Sequence, residues 1–125
     1  MKNKIAGTLY GMAIGDAMGM PSELWSRKKV QQFFRGITDF LDGPSENEVA
    51  YQYKRGQFTD DTAQALIILD SLIANHFNVL PTDIATRLLA WAKKEQAFEK
   101  NILGPTSKAA LLSFKEGKNI ESITN

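Results

Sequence analysis

At 125 residues the chain is long enough for one domain with a real core, and its fifteen Lys plus Arg against fourteen Asp plus Glu leave a formal charge of +1, with no block of like charge to make a nucleic-acid or membrane footprint. With 43% hydrophobic and 23% charged residues, and neither a Pro/Gly/Ser tract nor an internal repeat, it is not a disordered or fibrous sequence. The lack of cysteine excludes a disulfide framework, a thiolate metal site and a cysteine nucleophile, and fits a reducing cytoplasm.

Met1-Lys2-Asn3-Lys4 ahead of an apolar stretch imitates a secretion signal, but Asp16 and the glycines interrupt that stretch. No run approaches the ~20 apolar residues of a membrane span. Lys4 to Gly19 reads as a helix in which Gly7, Gly11, Gly15 and Gly19 recur every fourth residue, with Ala6, Ala13 and Ala17 beside them. That spacing makes one nearly bare helical face. Glycine costs ~1 kcal/mol against alanine inside a helix, so its repetition predicts close approach by another backbone or by a ligand.

Ser26 is placed to cap a short helix through Phe34, closed by Gly36, and Asp39 to Gln57, with Gly43-Pro44 and no clear period, reads as loop. From Asp60 to about Asn75 the pattern is apolar almost all round, through Ala63, Ala65, Leu66, Ile67, Ile68, Leu69, Leu72 and Ile73, which predicts a central, buried helix. Pro81-Thr82 opens the next, with Ile84, Ala85, Leu88, Trp91 and Ala92 as its inward stripe and Lys93-Lys94 outward. Gly104-Pro105-Thr106-Ser107 starts another, carrying Ala110, Leu111 and Phe114 before Gly117. Asn119 to Ile123 has the cap and first turn of one more. No segment alternates as a strand does, so the expected class is all-α. A chain that stops where a helix begins is expected to be a truncated segment.

The cluster with most chemistry is Gly56-Gln57-Phe58-Thr59-Asp60-Asp61-Thr62, a hydroxyl and two carboxylates in succession at a helix start. Two readings stand. Thr59 can be an N-cap whose following aspartates favour the helix dipole, worth ~0.3–1 kcal/mol each; or a non-helical cap lets Thr59, Asp60 and Asp61 converge as hard oxygen donors for a small cation such as magnesium. Upstream, Gly11-Met12-Ala13-Ile14-Gly15-Asp16-Ala17-Met18-Gly19-Met20-Pro21-Ser22-Glu23 delivers Asp16 and, after a proline, Glu23. Asp16 is either an acid bonded to neighbouring backbone amides or a group linked to metal. A mobile carboxylate beside a metal, as Glu23 would be, suits positioning or activating water.

These two segments resemble the ADP-ribosylglycohydrolases, a family that includes the glycohydrolase reactivating dinitrogenase reductase. Its members carry a GxxxGxAxGDAxGxPxE-like start and a later G-x-[FY]-T-D-D-T segment, and this chain has both in order; Gly104-Pro105-Thr106-Ser107-Lys108-Ala109-Ala110-Leu111 also looks like the family's segment at that distance. The resemblance implies an all-α enzyme, with residues 1–125 as the N-terminal segment of its domain, that removes ADP-ribose from a modified protein or small molecule using paired Mg2+ or Mn2+. By the same resemblance Thr59, Asp60 and Asp61 match metal ligands, Glu23 matches the acidic residue assigned to catalysis or gating, and Asp16 matches a Gly-Asp position expected to support substrate binding. Neither the family's GNGAAMR-like phosphate loop nor its D-[TS]-D segment is present, and Thr106 to Asn125 contains no aspartate. The segment by itself is therefore expected to be inactive and prone to self-association through apolar surface left uncovered.

His76 reads as a helix-end residue, Trp25 as packing, and Arg27-Lys28-Lys29 as a solvated helix start. Two rivals to the enzyme stay open: a non-catalytic ADP-ribose or nucleotide-binding member of the same fold, and a structural helical domain whose aspartates only cap.

Overall fold

The structure, a computed structural model, describes residues 1–119, so the helix expected through Ile123 lies outside the described residues apart from Asn119. Among the described residues all regular structure is helical: α1 Lys2–Gly19, α2 Arg27–Phe34, α3 Asp60–Ala74, α4 Pro81–Lys94 and α5 Pro105–Lys115, with single 3₁₀ turns at Met20–Ser22 and Ala50–Gln52. None of these helices is long and apolar enough to cross a membrane. The chain forms two compact units, Met1–Thr62 and Ala63–Asn125, and the division falls inside α3 rather than in a linker.

In the first unit the buried set gathers where α1 ends. Ala17, Met20 and Pro21 are enclosed with Asn47, Ala50, Tyr53 and Thr62. Pro21 sits at the start of the 3₁₀ turn that follows α1, where its missing N–H costs nothing. Ser26 caps α2 as expected, its hydroxyl accepting from the Lys29 amide at 3.3 Å. The left-handed residue closing α2 is Arg35 (φ 58°), with Gly36 following it. The stretch from Asp39 to Gln57 is irregular but well tied. The Gly43 amide donates to the Tyr53 carbonyl (3.0 Å), and the Arg55 amide donates to Asp42 (2.8 Å). Gly43 is required there, since a Cβ would stand 1.7 Å from the Ala50 carbonyl oxygen.

The glycine face of α1 departs from expectation. A Cβ built on Gly7, Gly11, Gly15 or Gly19 would meet nothing within 4 Å, so no backbone among the described residues makes the close approach that the spacing predicts. Ile5, Tyr10 and Ile14 on the same helix are exposed as well.

The second unit has a small apolar core of Ala92, Ala97, Leu103 and Leu111, joined by Leu88, Leu89, Trp91, Phe98 and Ile102. The inward stripe of α4 is thus half-buried to buried, while Lys93 and Lys94 face solvent near a helix C-terminus that favours cations. Asp83 in the first turn of α4 accepts from Ser71 Oγ (2.6 Å), Asn75 Nδ2 (2.9 Å) and Arg87 Nε (2.8 Å), which fixes the end of α3 to the start of α4. Those donors hold the Asp83 carboxyl below the usual carboxylate range, the Ser71 hydroxyl most of all. The expectation of a buried α3 is only partly met. Ser71 is fully enclosed, but most of the apolar residues of α3 are half-covered, and Ile68 and Ile73 are 38% and 56% exposed. Its all-round apolar pattern states a demand for cover that the described residues fill on some sides only.

Candidate functional site

The site is built on the first turn of α3, and Asp16 holds that turn. One carboxylate oxygen of Asp16 accepts from the Thr59 hydroxyl (2.9 Å); the other accepts from the Thr59 amide (2.9 Å), the Thr62 amide (3.3 Å) and the Thr62 hydroxyl (2.6 Å). The first amides of any α-helix lack intrahelical partners, and a carboxylate is a strong acceptor for them. Here it comes from α1, 43 residues upstream of Thr59. Three of the four donors share Oδ2 and one takes Oδ1, so most of the acceptor capacity of Asp16 is committed to the Thr-Asp-Asp-Thr turn.

Thr59 plays two parts. Its hydroxyl gives its proton to Asp16 and accepts from the Asp61 amide at 3.4 Å, the N-cap arrangement. A hydroxyl has two lone pairs, so one stays available on Thr59 Oγ1. With the turn fixed this way, Asp60 and Asp61 stand at the positive end of α3.

Glu23 joins them through the short segment after the 3₁₀ turn that ends α1. Partial burial, then the charges of Asp61 and Asp16, raise the Glu23 carboxyl above its ordinary value, although the side chain reaches solvent. Asp60 is raised too, by burial first and then by Asp61, against a backbone hydrogen bond that lowers it, with Asp16 and Glu23 adding to the rise. The two aspartates expected from sequence to ligate metal and the glutamate expected to handle water thus feel one another as like charges. Tyr53, only 7% exposed, faces the same field: burial, then Asp60, Asp16, Glu23 and Asp61, push its phenol up to about 12. It remains an O–H at neutral pH.

Tyr53 and the buried Asn47 escape sequence reasoning, because both lie in a stretch without a period. The one signal there is position, Tyr53 lying just upstream of the Thr-Asp-Asp-Thr run. Trp25 packs as expected, its ring 5.1 Å from Phe33 and 6.0 Å from Phe34, with Lys29 Nζ 4.0 Å over its face. His76 is exposed just beyond α3 in a left-handed conformation (φ 52°), away from the acidic turn in sequence and in role.

In kind, this donor set suits a hard cation: carboxylates and a hydroxyl, with only negative charges among the neighbours that raise Asp60 and Glu23. In number it falls short, because among the described residues no three His, Cys, Asp or Glu side chains are grouped to hold one ion.

A family model described as ADP-ribosylglycohydrolase matches residues 1–125. The chain is 48% identical over 122 residues to the uncharacterized protein YegU of Escherichia coli (strain K12), an overlap of 98% of this chain and 36% of that protein. It is 30% identical over 118 residues to an uncharacterized protein of Archaeoglobus fulgidus, covering 94% of this chain and 35% of the relative. To the ADP-ribosylarginine hydrolase Tri1 of Serratia proteamaculans (strain 568) it is 33% identical over 72 residues, 58% of this chain and 17% of Tri1. The chain therefore spans about a third of the length of the first two relatives, at 36% and 35%. No solved structure matches it.

Proposed function

The chain belongs to the ADP-ribosylglycohydrolase family, and from that premise we propose that the complete protein carrying it hydrolyses the glycosidic bond between ADP-ribose and an acceptor group, with magnesium or manganese as cofactor. The observation that supports this best is the Asp16 clamp. A helix start secured by four hydrogen bonds from Thr59 and Thr62 presents Asp60 and Asp61 beside a third carboxylate, Glu23, whose proton affinity is raised.

Thr59, Asp60 and Asp61 would hold one side of the metal centre, and the remaining donors are expected from the part of the protein these residues do not include. When bound, the ions supply positive charge and open positions that orient ribose hydroxyls and water. Glu23 takes the proton that the attacking water gives up, as a carboxylate placed beside the metal-binding turn is suited to do. The new C–O bond forms at the anomeric carbon while the bond to the acceptor breaks, and the acceptor leaves with that electron pair and gains a proton. Asp16 serves substrate binding through the turn it holds. Tyr53 keeps its proton and offers a donor to oxygen in the same acidic surroundings.

One relative is named for ADP-ribosylarginine, so arginine is the acceptor to test first. The complete protein should release ADP-ribose from an ADP-ribosylarginine peptide, and a chelator should abolish the release until magnesium is restored. Binding of ADP-ribose without release from arginine, serine or small-molecule conjugates would support a non-catalytic member of the fold instead.

A further inference from the structure

The buried Asn47 side chain reaches across 24 residues of sequence to the backbone of Glu23, and we propose that Asn47 is a positioning residue that sets where the Glu23 carboxylate stands. The proposal rests on Glu23 handling the attacking water. Asn47 is 1% exposed, and its amide nitrogen donates to the Glu23 carbonyl at 3.0 Å and to the Pro21 carbonyl at 3.4 Å. The Glu23 amide in turn donates to the Met20 carbonyl at 3.1 Å. Both backbone polar groups of Glu23 are thereby tethered, one by the end of α1 and one by Asn47.

The other end of the Asn47 side chain explains why the tether is rigid. Its Oδ1 accepts from the Val49 and Ala50 amides, each at 2.9 Å, which anchors it to the start of the 3₁₀ turn Ala50–Gln52. That half of the job asks only for an oxygen, and Asp or Ser caps such a turn about as well as Asn. The donor half asks for an amide. Asparagine is the residue of this length that supplies both, so its identity is accounted for by the hold on Glu23 rather than by the turn.

The residues on the C-terminal side of Glu23 make the hold consequential. Leu24 is left-handed (φ 55°), a conformation that L side chains rarely adopt, and it lies between two amides bonded back to the 3₁₀ turn, Glu23 to Met20 and Trp25 to Ser22. Trp25 is then anchored by the Phe33 and Phe34 rings. Between these fixed points the Asn47 bond decides the height and direction of the Glu23 backbone. Since misplacing a reacting group by about 1 Å can cost on the order of 100-fold in rate, loss of the tether should be read in turnover.

The test compares Asn47→Asp and Asn47→Ser with Glu23→Gln in the complete protein, following ADP-ribose release. Both Asn47 variants keep an oxygen for Val49 and Ala50; Asp has no donor for Glu23, and the Ser hydroxyl, one bond shorter than the Asn amide, does not reach the Glu23 carbonyl from the turn. Asn47→Ser carries the test if the buried charge of Asn47→Asp prevents folding. The expected result is a kcat lower by about 10–100-fold with KM and the magnesium requirement within about twofold, and no further fall when either is combined with Glu23→Gln, because both act through one group. Unchanged kcat, or a loss that adds to that of Glu23→Gln, would overturn the inference and leave Asn47 a structural residue. Normal turnover by Glu23→Gln alone would remove the reading of Glu23, and the role of Asn47 with it.

Discussion

Removing the Asp16 carboxylate should cost the protein much of its stability, although the residue lies in no apolar core. Asp16→Ala strips the acceptor from four hydrogen bonds, two of them from Thr62, which is 1% exposed. A hydrogen bond to a charged group contributes ~1.5–3 kcal/mol net, and a buried donor left unsatisfied costs ~1–3 kcal/mol. The half-buried Thr59 donors can recover water, so the sum is carried mainly by Thr62 and comes to roughly 3–5 kcal/mol. Against a total of ~5–15 kcal/mol for a folded domain, that is a large share. Asp16→Asn keeps one oxygen acceptor and should lose about half as much, while Thr62→Val, which deletes one donor together with its need for a partner, should lose ~1–2 kcal/mol. Urea unfolding followed by helical circular dichroism measures all three, with equal m-values showing that the folded extent is unchanged. An Asp16→Ala protein within about 0.5 kcal/mol of the parent would show that the clamp does not form.

Asp60→Asn should stabilise the metal-free protein at neutral pH and not in acid. The folded pKa of Asp60 is raised by burial and by Asp61, so below the unfolded value of ~4 both states are protonated and the substitution changes nothing. As pH rises through the raised folded value the native carboxylate becomes a cost that Asn lacks, and urea midpoints across pH would show the gain opening in that window and closing when magnesium is added. Asp83 has the opposite sign: its lowered pKa contributes stability above ~4 that is lost as pH falls through the folded value, so Ser71→Ala, removing its 2.6 Å donor, should lower the melting temperature at neutral pH and lower it less in acid. Residues 1–125 alone should show no magnesium-dependent release of ADP-ribose, since no three carboxylate or imidazole ligands are grouped among the described residues, and should self-associate in light scattering through α1 and α3, where Ile14 is 51% and Ile73 56% exposed. Robust turnover by that segment would contradict the half-site.

Local signals in the sequence foretell the starts of α2 to α5, each of which carries its own cause: Ser26 before α2, Thr59 before α3 with Asp60 and Asp61 in its first turn, Pro81 in α4 and Pro105 in α5; α1 has no side-chain cap. They do not foretell what lies against a helix. Periodicity says which face is bare or apolar, not which segment covers it, so Gly7 to Gly19 suggest a close neighbour where the described residues have none, and the all-round apolar pattern of α3 suggests deeper enclosure than the helix has. The same limit governs the site. The residue types at Thr59, Asp60, Asp61 and Glu23 name a chemistry, and their shared electrostatics come from the turn. Asn47 and Tyr53 draw their roles from contacts with the end of α1 and from the field of the acidic turn, and no spacing rule connects them.

The assignment of the Thr59-Asp60-Asp61 turn to the metal is tested most directly by the magnesium activation curve for ADP-ribose release, measured on the complete protein and on its Asp61→Asn variant. Asn caps a helix as well as Asp, so the fold should survive and the comparison isolates the charged donor. The account predicts that half-maximal activation moves to at least ~10-fold higher magnesium, the cost of losing a charged ligand, or that activity disappears at every concentration while the melting temperature holds. An unchanged activation curve in a folded Asp61→Asn protein would contradict it and reduce the two aspartates to helix caps.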